Sequence, residues 1–83
     1  MTNIVSLTLY LRQGCHLCQD MEQHVMSFQQ QYGFTLHIVD IDADKLLKLR
    51  YGERVPVLAA GEQEICHYFF NKDLFQQYLK AHC

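Results

Sequence analysis

Apolar and polar positions change rhythm several times along the chain, and each change marks an element. Val5, Leu7, Leu9 and Leu11 alternate with Ser6, Thr8 and Tyr10, the period of a strand. Arg12-Gln13-Gly14 breaks the alternation. From about Cys15 the apolar residues Leu17, Met21, Val25, Phe28 and Tyr32 recur at helical spacing, with Gln19, Asp20, Glu22, Gln23, Gln29 and Gln30 for the wet side. Gly33 is suited to terminate that helix. A second strand, Phe34–Asp40, mixes alternation with a continuous apolar run, as a largely covered strand does.

Asp42 is the expected cap of a second helix running from Ala43 to about Tyr51, with Leu46, Leu47 and Leu49 at or near its inner side and Gly52 closing it. Val55–Ala60, a turn at Gly61-Glu62, and Gln63–His67 read as a hairpin. A last helix starts from a cap near Asn71 and runs to the C-terminus, with Leu74, Phe75, Tyr78 and Leu79 on helical spacings. The first strand–helix–strand unit demands parallel strands with a right-handed crossover, and the hairpin is antiparallel within itself. A four-stranded mixed sheet with helices on both faces meets these constraints.

The chain has 83 residues, 49% of them hydrophobic, enough for one core and not two. A single domain over residues 1–83 is expected, acting as a monomer. Seven Lys and Arg against nine Asp and Glu give a formal charge of −2. Nucleic acid is thereby disfavoured as a partner, since phosphate binding calls for a basic face. No apolar run reaches the ~20 residues that span a bilayer, so no membrane role is expected. The segment Met1–Leu7 has no Lys or Arg and interrupts its apolar residues, unlike a signal peptide; the expected location is the cytoplasm.

Of the cysteines Cys15, Cys18, Cys66 and Cys83, the first two form a Cys-His-Leu-Cys motif where the first strand passes into the first helix. A helix start presents unpaired N–H groups and partial positive charge, which stabilise a thiolate at Cys15. Residues three apart share a helix side, so the pair can open and close as a disulfide with little backbone movement. This spacing suits thiol exchange, with Cys15 the nucleophile and Cys18 the resolving thiol. His16, beside the nucleophile, favours the thiolate when protonated. Two other uses stay open. One is a structural disulfide, whose short loop brings only about 2 kcal/mol. The other is a zinc site completed by Cys66 and His67. No metal or organic cofactor is required by the exchange reading.

Pro56, the only proline, follows Val55 and opens the third strand. That strand runs antiparallel to the first, so Pro56 belongs at the end where Cys15 emerges, and the fourth strand brings Cys66 and His67 back to it. With Cys15-His16-Leu17-Cys18 after a strand, Val55-Pro56 before another, and this element order, nearly the whole chain resembles the thioredoxin superfamily, and within it the short glutaredoxin-like proteins. The resemblance implies a thioredoxin fold with strand order 2-1-3-4, a cis Val55–Pro56 bond facing the cysteines, and Val55 offering its backbone to a bound peptide or thiol. It implies thiol–disulfide oxidoreduction on a disulfide-bearing protein or small thiol, with electrons from an upstream thiol reductant for which glutathione is a candidate.

The sequence departs from that pattern in two places. The motif encloses His16-Leu17 rather than Pro-Tyr, and Ile65–Asp73 lacks the paired glycines that hold glutathione in typical glutaredoxins. Arg12 and the Arg50–Arg54 region are candidate carboxylate holders, with a solvated surface role as the plainer use. Cys66 reads as a small apolar strand residue or as a third redox thiol, and His67 as a surface histidine or a local base. Cys83 reads as a bystander thiol. Tyr68-Phe69-Phe70 reads as core packing, with part of it available as a docking surface.

Overall fold

The computed structural model describes residues 4–82, so the expectation for Cys83 lies outside the described residues. Strands β1 (Ser6–Leu11), β2 (Thr35–Asp40), β3 (Val57–Ala60) and β4 (Gln63–His67) form one sheet in the order β2-β1-β3-β4. Helices α1 (His16–Tyr32), α2 (Lys45–Tyr51) and α3 (Lys72–His82) cover it. β1 pairs parallel with β2 and antiparallel with β3, which pairs antiparallel with β4. This is the thioredoxin arrangement that the resemblance implied.

Alternation along β1 decides which helices lie on which face. Leu7 and Leu9 point one way and join Leu58, Ile65 and Cys66 beneath Met21 and Val25 of α1 and Phe75 and Leu79 of α3. Tyr10 points the other way, where Val57, Ile41, Tyr51 and Leu47 form a smaller cluster under α2. Tyr10 and Tyr51 stack there with ring centroids 4.3 Å apart. Phe75 anchors the larger cluster, its ring within 5.1–6.3 Å of those of Phe28, Tyr32, Phe34 and Phe70. A shift of register between Leu58 and Ala59 bulges β4, and two consecutive residues, Ile65 and Cys66, both enter the core.

Three local expectations are corrected. β2 is not largely covered: it is the sheet edge, the main core reaches it through Leu36, and Ile38 is 47% exposed. The cap of α2 is Asp44, whose carboxylate accepts from the N–H groups of Leu46 and Leu47. Asp42 lies instead in a 3-10 turn over Ile41–Ala43, itself capped by Asp40. Leu46 and Leu49 face outward, at 76% and 85% exposure. The inner stripe of this short helix is taken by Leu47 and Tyr51, which are one i,i+4 step apart. Gly52 closes α2 as expected, its N–H on the Lys48 carbonyl over 2.8 Å, with ordinary right-handed angles, φ −54° and ψ −35°.

Candidate active site

The C-terminal end of β1 leads through a tight turn, with Gly14 at φ +73°, to Cys15 at the head of α1. Cys15 has extended angles and serves as the N-cap. Its Sγ accepts the N–H of Cys18 over 3.1 Å, and its carbonyl accepts the N–H of Gln19 at the same distance. The two cysteines are at disulfide distance, with Cα atoms 5.2 Å apart. Cys15 is partly exposed, whereas Cys18 is 1% exposed. No acidic side chain occupies the first turn of α1, so nothing there opposes negative charge on sulfur. His16 is exposed beside the pair.

The antiparallel register sets Val57 opposite Tyr10, and this places Val55–Pro56 at the same end of the sheet. The Val55–Pro56 bond is cis and the proline ring is fully buried. Val55 packs its side chain against the α2 cluster. Among the described residues, no hydrogen bond claims its backbone N–H or C=O. Its neighbours are held. Arg54 donates its N–H to Tyr51 O over 2.8 Å, and the Pro56 carbonyl accepts the N–H of Tyr68 over 2.9 Å.

A groove of about 560 Å³ lies between α1 and the segment after β4, lined by Leu17, Met21, Phe28, Phe69 and Phe70 among others. Leu17, between the cysteines in sequence, lines it; neither cysteine does. The aromatic run divides here. Phe70 packs inward against His24, Phe28 and Phe75, and Phe69 is 70% exposed.

The other candidates are spoken for by neighbours. Arg12 grips Asp42 through two contacts of 3.0 and 3.2 Å, with Lys48 3.8 Å from the same carboxylate. His67 pairs through Nδ1 with Glu64 at 2.9 Å, and Glu64 also binds Arg54 at 3.0 Å. Cys66 lies in the core at 6% exposure, and burial pushes its thiol pKa up, against a smaller lowering by the Asn71 backbone. Among the described residues, no hydrogen bond joins Cys66 or His67 to the cysteine pair. No cluster of three or more His, Cys, Asp or Glu among those residues is placed to hold a metal ion.

Sequence reasoning missed Glu64 as the shared partner of Arg54 and His67, and it read Tyr68 only as part of an apolar run, missing its bonds to Glu53 and Pro56. The Tyr68 hydroxyl donates to the carbonyl of Glu53, and its backbone adopts φ +62°. No periodic pattern announces a tyrosine in that conformation, and contacts across the sheet end are invisible to local spacing.

No curated protein matches the chain. Among solved structures, one from Nitrosomonas europaea is 36% identical over 94% of each chain, with a TM-score of 0.83. Another, from X. campestris, is 35% identical over 90% of this chain and 96% of its own, with a TM-score of 0.66. Thioredoxin from Fasciola hepatica shares the fold at 15% identity and a TM-score of 0.66, over 96% of this chain and 82% of its own. The family described as Glutaredoxin-like domain (DUF836) matches residues 6–80, and the chain therefore belongs to this glutaredoxin-like family.

Proposed function

We propose that the protein is a thiol–disulfide oxidoreductase working through Cys15 and Cys18. The observation that carries this reading is the asymmetry of the pair. A partly exposed sulfur sits at a helix head, receives an N–H, and stands at disulfide distance from a sulfur sealed beneath it. In the reduced protein, the helix head and the Cys18 N–H favour a thiolate at Cys15. That thiolate attacks a substrate disulfide, forming a mixed disulfide and releasing one substrate thiolate. Cys18 then loses its proton and attacks Cys15 Sγ, which closes the bridge and releases the second substrate thiol. Two electrons and two protons pass from the protein dithiol to the substrate.

The substrate is a disulfide-bearing protein or small thiol, and Val55 is the backbone that meets it. An upstream thiol reductant reopens the bridge; glutathione is a candidate. No further cofactor takes part, the chain acts as a monomer, and the cytoplasm is the compartment in which such a dithiol is kept reducible.

The test is the equilibrium of the Cys15–Cys18 bridge against thiol redox buffers, read by alkylation and mass. A midpoint within about −120 to −270 mV, the span of known dithiol carriers, is expected. A bridge still closed below about −300 mV marks a structural disulfide and ends the proposal.

A further inference from the structure

Four residues, Glu53 to Pro56, lead into β3, and three of them are tied down. Glu53 gives its carbonyl to the Tyr68 hydroxyl. Arg54 is fixed by its N–H bond to Tyr51, by Glu64 at 3.0 Å, and by its guanidinium lying 5.6 Å from the Tyr51 ring centre. Pro56 gives its carbonyl to the Tyr68 N–H over 2.9 Å. Val55 alone keeps its backbone groups unclaimed among the described residues, while its side chain is anchored against the α2 cluster.

Tyr68 thus holds both flanks of the unclaimed residue, one with its ring hydroxyl and one with its main chain. The backbone bends to allow it. Phe69 N–H returns to His67 O over 2.7 Å, a γ-turn with Tyr68 at its centre. Among the described residues, Tyr68 is the only non-glycine with positive φ. Such a conformation is costly for a side chain with a Cβ and persists where the surroundings hold it. A glycine would take the turn freely but would supply no hydroxyl for Glu53.

We propose that Tyr68 is a positioning residue that presets Val55 for an extended peptide, so that the site favours disulfides carried on a polypeptide over those on small thiols. The inference rests on the exchange activity proposed above. An extended segment beside a cystine satisfies Val55 N–H and C=O as an added strand does. A loop already held in place spares the ordering cost of that capture. A disulfide without a peptide backbone gains nothing from it.

The experiment compares wild type, Tyr68→Phe and Tyr68→Gly in steady-state reduction of two probes. One is a peptide with a single internal cystine; the other is hydroxyethyl disulfide. Tyr68→Phe keeps the ring and loses the bond to Glu53. It is expected to raise KM for the peptide about two- to tenfold, the range one hydrogen bond commands, at unchanged kcat. The KM for hydroxyethyl disulfide moves less, and the bridge equilibrium in redox buffer stays put. Tyr68→Gly accepts the positive φ without cost and raises the peptide KM at least as far, which separates positioning from folding. Equal changes for both probes, or an unmoved peptide KM in both variants, overturn the inference. So does a wild type that reduces hydroxyethyl disulfide but no peptide, which leaves the exchange activity standing. A wild type that reduces neither overturns the exchange activity itself.

Discussion

The backbone N–H of Cys18 points at the Sγ of Cys15 over 3.1 Å, so the sulfur proposed as nucleophile is also the helix cap. The two roles separate by substitution. A serine oxygen caps a helix well, whereas alanine leaves the N–H unsatisfied. In reducing conditions Cys15→Ser should hold its stability, and Cys15→Ala should fall below it by about 0.5–2 kcal/mol in urea denaturation. Both should form no mixed disulfide. Cys18→Ser, with its attacking thiol gone, should accumulate a mixed disulfide at Cys15, visible as added mass. Equal stability of the serine and alanine variants would remove the capping role.

Cys66 predicts how the protein responds to alkali. Burial among Leu58, Phe75 and their neighbours pushes its thiol above the ordinary value. Folded Cys66 therefore stays protonated where the unfolded thiol, of ordinary pKa about 8.5, has ionised. The sign follows: its contribution is complete below the unfolded value and is lost as pH rises toward the folded one. Tyr10 is shifted the same way, by burial first and by Tyr51 second, and adds to the loss further up the scale. The urea midpoint should decline from about pH 8.5 upward, and more steeply in wild type than in Cys66→Ala. Parallel declines would exclude Cys66 as a source. At pH 8 an alkylating reagent should label Cys66 only after unfolding.

Much of this was legible from spacing because a local pattern records it. β1 alternates because one of its faces meets Met21 and Phe75 and the other meets Tyr51. Cys15 and Cys18 are neighbours by helix geometry alone, and the strand–helix–strand order dictates where Pro56 returns. What escaped depends on neighbours remote in sequence. The apolar run of β2 looks covered although the expected order 2-1-3-4 already makes that strand an edge, and Ile38 is left 47% exposed. Asp40, Asp42 and Asp44 look interchangeable as caps, and the turn over Ile41–Ala43 assigns one to each end and leaves Asp42 for Arg12. Cys66 enters the core beside Ile65 because of a bulge that alternation does not anticipate. Tyr68 is selected by carbonyls of the Glu53–Pro56 loop, which no local pattern reveals.

Phe75 carries the largest share of the core that any single ring supplies. It is fully buried, and the rings of Phe28, Tyr32, Phe34 and Phe70 close around it. Truncation to alanine leaves a cavity bounded by ring systems that cannot collapse without tilting. Phe75→Ala should cost about 3–5 kcal/mol, a large part of the stability of so small a domain. Leu49→Ala, by contrast, alters a residue 85% exposed and should stay within about 0.5 kcal/mol. Urea denaturation of the two variants side by side measures both. Similar losses would mean that Leu49 is covered in solution.

Two glycines end helices here for opposite reasons, and alanine should expose the difference. Gly33 closes α1 at φ +69°, with its N–H on Gln29 O over 2.8 Å and open space where a methyl would sit. The penalty for Gly33→Ala is therefore one of backbone conformation, about 1–2 kcal/mol. Asparagine, which tolerates the left-handed region, should recover part of it. Gly52 has an ordinary φ of −54°, but a methyl there collides with the carbonyl of Lys48, the group its own N–H bonds over 2.8 Å. That penalty is steric, about 1–3 kcal/mol, and Gly52→Asn should be no better than Gly52→Ala, since both carry the Cβ. Rescue by asparagine at position 33 and none at position 52, measured by thermal and urea unfolding, is the expected pattern; rescue at both would mean that Gly52 visits the left-handed region in solution.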